Sequence, residues 1–236
     1  MSYIDLLALF SWFDAAAITW FFVAWAGIGW WIDHPHFGRK SVTSLMKGYR
    51  RAWMREMVFR DPRIFDAQMM GSLRQGTAFF ASSSIIAVGG VLALSGNTAP
   101  LQGVAADISG QATPAIVWQL KLVIVALCLV SAFLKFVWAN RLFGYCVVLM
   151  AAVPTHPDHP DSAPRATRAA ELNIRAAVNF NRGLRAIYFA LAAVAWLIGP
   201  IPLILSVSFT FWVLWSREFA SLPHQILSGP PPSAKL

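Results

Sequence analysis

The side chains in this sequence best suited to chemistry are two charges set in apolar surroundings. Asp14 lies in the run SWFDAAAITWFFVAWAGIGWWI and Lys121 in the run IVWQLKLVIVALCLVSAFLKFVW. A charge within an apolar helix is costly unless it is paired or faces a cavity. Asp14 and Lys121 precede Trp31 and Trp138 by the same interval, so if those Trp mark one interface, both charges sit about 25 Å from it. The expected chemistry is an Asp14–Lys121 ion pair between two helices, a counter-ion arrangement that a transport path could use. The competing reading has both side chains snorkelling separately to the outer interface.

The break Gly199-Pro200-Ile201-Pro202 is a second candidate. Proline supplies no N–H, so carbonyls one turn earlier lose their donors and could line an ion or substrate site. Such a break is also an ordinary packing kink. A third candidate is a cytoplasmic polar network of Asp66, Gln68, Arg74 and Gln75 with Asn179, Asn181, Arg182 and Arg185. Asp66 is expected to face one of these arginines and fix helix register. Clustered Arg also suits the geometry of an anionic headgroup or small anion. Finally, Lys47, Arg51 and Arg55 step by four along SVTSLMKGYRRAWMREMVF, while Val42, Leu45, Met46, Tyr49, Trp53 and Met57 follow helical spacing on another face. A basic amphipathic helix beside a span lies in the headgroup plane, each cation near an anionic surface contributing about 1 kcal/mol. A docking surface for a partner protein is the competing reading.

Metal and nucleophile chemistry find little support. His156-Pro157-Asp158-His159-Pro160-Asp161 holds metal-capable side chains, but its prolines make it a turn. His34 and His36 flank Pro35 in another expected turn. No His lies within an apolar run, which excludes a haem held between paired His. Cys128 and Cys146 fall about 27 Å apart on one helix, too far to bridge. No nucleophile elbow, phosphate loop or zinc-protease pair occurs. No cofactor, metal or catalytic residue is expected, and the chain is read as a non-enzyme.

Helices in lipid would have to position these residues. The chain has 236 residues, 57% hydrophobic and 13% charged, against roughly 25% charged for soluble domains. That leaves too little polar surface for a soluble globule. The expected fold class is all-α, an integral membrane protein with four transmembrane helices, long cytoplasmic helical extensions and one basic interfacial helix at about 41–59. Stretches at about 11–32, 77–95, 116–138 and 187–215 are long enough to cross about 30 Å of hydrocarbon. Each half of the last stretch would make only about 20 Å of helix. One long kinked helix is therefore expected, with a re-entrant pair as the alternative that would put the C-terminus inside.

Lys and Arg crowd into Arg39–Arg74 and Arg165–Arg185, whereas Met1–Asp33 and Gln75–Leu120 carry none. By the positive-inside rule, Asp33–Gln75 and Ala139–Ala186 lie in the cytoplasm, and four crossings leave both termini outside. The N-terminal run lacks a basic region and reads as a retained span. The net charge of +8 is thereby a matter of topology, and nucleic acid is not an expected partner. Trp30, Trp31 and Trp138 fall at inner ends, and Trp12, Trp118, Trp212 and Trp215 at outer ends, where indole N–H groups meet headgroups.

Asp61-Pro62 is expected to open the second long helix as N-cap and first residue, and Pro164 opens an Ala-rich helix leading to Ile187. Small residues Gly71, Gly76, Ala81, Ser82, Ser84, Gly89 and Gly90 are expected to let helix two approach its neighbours closely. One domain spans 1–227, and the tail 228–236 is disordered by composition.

The blocks RDPRIFDAQMMGSLRQGTAFFASSSIIAVGG (Arg60–Gly90) and AAVNFNRGLRAIYFALAAVAW (Ala176–Trp196) resemble the two signature regions of the domain of unknown function 599 family of small integral membrane proteins. The resemblance implies a four-helix membrane protein and carries no activity with it. The functional expectation is an accessory or scaffolding protein of the inner (plasma) membrane. It would bind membrane lipids, anionic ones especially, and a protein partner or a second copy through its cytoplasmic face. The alternative is a small oligomeric transporter or channel whose path Asp14, Lys121 and the helix-four break would line. A polar cavity reaching Pro200 or Lys121 favours transport; an interior filled by apolar and small side chains favours the scaffold.

Overall fold

A computed structural model of the chain describes residues 10–34, 39–99 and 114–229. His36, most of the loop after Gly96 and the tail beyond Gly229 lie outside those residues. The described residues form helices and no strand. Helix α1 (Trp12–Asp33) opens on a reciprocal box: Asp14 N–H donates to Ser11 Oγ at 3.2 Å, and Asp14 Oδ2 accepts from Ser11 N–H at 3.1 Å. This satisfies two of the donors that a helix start leaves open. Helix α2 (Val42–Met57) is capped by Ser41, whose hydroxyl accepts from Ser44 N–H at 3.1 Å and donates to the Ile32 carbonyl at 2.9 Å. Helices α3 (Ile64–Gly96), α4 (Ala115–Ala151) and α5 (Ser162–Val194) follow, then a 3₁₀ turn (Ala195–Leu197), α6 (Pro200–Phe219) and α7 (Leu222–Ser228). Helix α3 begins at Ile64, two residues later than Asp61-Pro62 suggested.

Four helical stretches are long and apolar enough to cross a membrane: Trp12–Asp33, Ile64–Gly96, Ala115–Ala151 and Pro200–Ser228. Their outward side chains are apolar as well, among them Phe22, Ile86, Leu127, Leu205 and Phe209. Water would not tolerate so continuous an apolar exterior, but lipid does. The chain is a multi-pass membrane protein.

The structure corrects the fourth span. Gly199 and Pro200 end one helix and start another, and the two fold back as arms of a hairpin. Ser206 Oγ on α6 donates to the Ala192 carbonyl on α5 at 2.9 Å, 14 residues away. Along one kinked helix those positions would stand about 21 Å apart. The apolar centre of each arm alone is too short to cross. Each arm extends past polar residues that find partners, giving α5 33 residues and α6 20.

The fold divides into two compact units. The first gathers Met1–Gly29, Ser82–Phe133 and Leu184–Leu214. There, Phe21 of α1 meets Phe189 of α5 edge-on at 5.7 Å, and Trp25 stacks on the same ring at 6.0 Å. Trp20 Nε1 donates to Ser208 Oγ of α6 at 3.1 Å. Ala17, Ala24, Ala190, Ala193, Leu203 and Val207 fill the spaces between.

The second unit gathers Trp30–Ala81, Leu134–Gly183 and Trp215–Leu236. Its core joins Met54, Met57, Met70, Phe143, Cys146, Met150 and Ala169. Arg63 fastens the end of α4, donating to the Val153 carbonyl at 2.6 Å and the Pro154 carbonyl at 2.7 Å. The glycines of α3 do not work as expected: a Cβ at Gly71, Gly76, Gly89 or Gly90 would meet nothing within 4 Å. The close approach occurs instead at Gly183 on α5, against Phe136 of α4.

Candidate functional site

Helix α2 is not a loose surface helix. Thr43, in its first turn, donates its N–H to Glu218 Oε2 at 2.9 Å and its hydroxyl to Oε1 at 2.8 Å. A carboxylate there complements the positive end of the helix dipole. Arg50 Nη1 donates to Asn173 Oδ1 of α5, and Arg51 pairs with Glu171 at 2.8 Å. At the far end Trp53 Nε1 donates to Asp66 Oδ1 at 2.6 Å. The inward stripe is therefore Thr43, Lys47, Arg50, Met54 and Met57, at helical spacing. Of the apolar face expected to lie against the membrane, Met46 and Tyr49 are exposed, while Met57 is buried in the protein. Of the basic trio, Lys47 turns inward, Arg51 meets a protein carboxylate, and Arg55 remains at the surface.

In front of this stripe lies a cavity of about 290 Å³. Lys47, Arg50, Thr43, Asn181 and Glu218 supply its polar lining, and Val42, Met46, Ile174, Ala177 and Val178 the apolar part. Asn181 Nδ2 donates to Thr43 Oγ1 at 3.2 Å, tying α5 into the same chain of bonds. Asn173 is fully buried, its amide directed at Met70 Sδ at 3.2 Å. Burial draws the pKa of Arg50 down from the ordinary arginine value, because water is stripped from its guanidinium. Beside the cavity, Trp31 and Trp215 both pack on Phe219, at 5.7 and 6.4 Å. Trp215 thus shares a level with Trp31, where the sequence reading put it at the opposite end.

The expected network around Asp66 is dispersed. Asp66 is buried and takes Arg60 at 2.6 Å, not Arg182 or Arg185. Arg182 pairs with Asp33 at 2.8 Å, while Asn179 donates to the Arg175 carbonyl of its own helix at 2.9 Å. Gln68 and Arg74 are exposed, and Arg185 is buried with a partner of its own. The His-Pro-Asp segment is a turn leading into α5: Asp161 N–H donates to His159 Nδ1 at 3.1 Å, and Asp161 pairs with Arg165 at 2.6 Å.

In the first unit, Asp14 and Lys121 make no direct ion pair. Both engage Trp196, on the 3₁₀ turn before the Gly199–Pro200 break. Its Nε1 donates to Asp14 Oδ1 at 2.8 Å, and Lys121 Nζ stands 5.6 Å from its ring centroid. Lys121 is only 9% exposed and also faces Trp118, at 5.7 Å. Independent snorkelling does not describe this arrangement either, since the indole couples the two charges. Trp118 is buried, and its N–H meets no acceptor among the described residues. Trp196 and Glu218 had no place in the sequence reading. Both become visible only when α5 and α6 are drawn as a hairpin.

With this geometry in hand, comparison with protein families is decisive for kinship. A family model described as "Protein of unknown function, DUF599" matches residues 16–223. The chain belongs to this family. The match runs from α1 into α7, so the DUF599 region includes both units, the hairpin and the cavity beside α2. Neither the curated proteins nor the solved structures contain a match to the chain.

Proposed function

We propose that this DUF599 protein is a non-enzymatic accessory protein of the plasma membrane that holds a partner or anionic lipid on a fixed basic face. The observation that carries the reading is the docking of α2. Contacts to Glu218, Asn173, Glu171 and Asp66 hold it in place, yet it offers Arg55 and Tyr49 outward. A rigid helix with exposed cations and apolar side chains suits binding, because little ordering entropy remains to be lost on association. The apolar packing of Phe21, Phe189, Ala193 and Leu203 in the first unit supports this reading over a conduction path. The test is extraction of the full chain in mild detergent, with quantification of the protein and lipid that accompany it. A stoichiometric companion or enriched anionic lipid that falls away in Arg55→Glu supports the reading. A clean chain with neither overturns it.

The hairpin also revises the proposed orientation. In the second unit Glu218 of α6 and Asn181 of α5 both meet Thr43, so the two arms end beside the basic helix α2. Positive-inside topology then puts the C-terminus in the cytoplasm and the start of α1 outside. A reporter fused after Leu236 is expected to be reachable only from the cell interior. Labelling of that reporter from outside intact cells would overturn the orientation.

A further inference from the structure

The inward stripe of α2 presents two cations without counter-ions among the described residues. Lys47 and Arg50 line the cavity between α2, α5 and the end of α6, and neither belongs to an ion pair among the described residues. The one carboxylate in the lining, Glu218, has both oxygens engaged by Thr43. Arg50 has one guanidinium nitrogen on Asn173, which leaves further N–H donors. A half-buried guanidinium without an anion is costly, and a bound anion with several acceptor oxygens offsets that cost.

We propose that this cavity is a phosphate-binding site in which Arg50 donates to phosphate oxygens through its planar fork and Lys47 contributes a point charge. The volume, about 290 Å³, equals roughly ten waters. That accommodates a phosphate with a few attached carbons, whose apolar part meets Val42, Met46 and Ile174. Glu218 repels an anion at its own end and so directs the phosphate toward Lys47 and Arg50. Two sources share this chemistry. Glu218 is followed by Phe219, which packs on Trp31 and Trp215, and aromatic clusters of this kind collect at headgroup depth. A phospholipid headgroup therefore reaches the cavity from the bilayer, and a small soluble phosphate ester reaches it from water.

This inference deepens the lipid-binding side of the function proposed above, and its test separates the two. The full chain in detergent is titrated with phosphatidic acid, with glycerol 3-phosphate, and with phosphatidylcholine of the same acyl length; the readout is binding affinity. Phosphatidic acid or glycerol 3-phosphate is expected to bind, and phosphatidylcholine much more weakly. Arg50→Met and Lys47→Met are each expected to weaken binding about ten- to a hundred-fold, as for loss of a hydrogen bond to a charged group, while Arg168→Gln, at an exposed cation of α5 outside the cavity lining, changes it little. Lys47 makes no hydrogen bond among the described residues, so its variant keeps the test valid if Arg50→Met fails to fold. Binding of glycerol 3-phosphate alone with this residue dependence identifies a soluble ligand; preference for phosphatidic acid identifies lipid. Equal binding of phosphatidylcholine, equal losses at Arg168, or no binding by either phosphomonoester overturns the site. A stoichiometric protein companion in mild detergent would still leave the accessory role standing.

Discussion

Gly183→Val is expected to destabilise the protein by about 3 kcal/mol, the upper range for forcing extra atoms into a packed core. A Cβ at Gly183 would lie 2.7 Å from Cε1 and 2.8 Å from Cζ of Phe136. That ring cannot step aside easily. It is fully buried, stacked on Phe80 at 5.5 Å and tilted against Phe180 at 5.5 Å, and Phe80 and Phe180 meet each other at 5.7 Å. Any shift of one ring disturbs all three. The measurement is thermal unfolding in detergent, with Gly183→Ala expected to fall between wild type and Gly183→Val. Phe136→Leu in the Gly183→Val background is expected to recover part of the loss, because the smaller side chain vacates the overlap. Unfolding of Gly183→Val at the wild-type temperature would show that α4 and α5 do not approach each other at this level.

The contrast between Gly183 and the glycines of α3 shows what a sequence discloses about packing. A glycine-rich helix in lipid reads as a close-contact helix, and Gly71, Gly89 and Gly90 fit that pattern while touching nothing. Gly183 sits alone between Arg182 and Leu184 in a charged stretch, and nothing local marks it. Helix positions were legible because apolar length is a local property. The long α3 and α4 and the start of α5 follow from it, whereas the start expected at Asp61-Pro62 moves to Ile64. The hairpin was not legible, because the sequence shows where a helix breaks and not the angle at which it resumes. That single angle decides whether Glu218 lies beside Thr43, whether Trp196 lies between Asp14 and Lys121, and which side receives the C-terminus. The inward polar contacts of α2 were not legible for a related reason. Its apolar residues by count mark one face, but Thr43 and Arg50 found specific acceptors in Glu218 and Asn173.

Asp66→Ala is the other substitution expected to cost heavily, about 3 kcal/mol, the low end for breaking a buried ion pair. Asp66 is 0% exposed, and its Oδ1 accepts from both Trp53 Nε1 and Arg60 Nη1 at 2.6 Å. It also stands in the first turn of α3, where the helix dipole favours a carboxylate. Removing it leaves the Trp53 N–H and the Arg60 guanidinium without their acceptor. Arg60 is partly exposed, 38%, so water recovers some of the loss; Trp53 has less access to solvent. Because Trp53 anchors the last turns of α2, hydrogen exchange should accelerate there before it does in α4. Asp66→Ala combined with Arg60→Met is expected to lose less than the sum of the two single changes, since the second removes the stranded charge. Strict additivity, or an Asp66→Ala protein that exchanges and melts like wild type, would mean that Trp53 and Arg60 are satisfied without Asp66. In that case the C-terminal end of α2, and with it the orientation of Lys47 and Arg50 toward the cavity, would have to be held by the Met54 and Met57 packing alone.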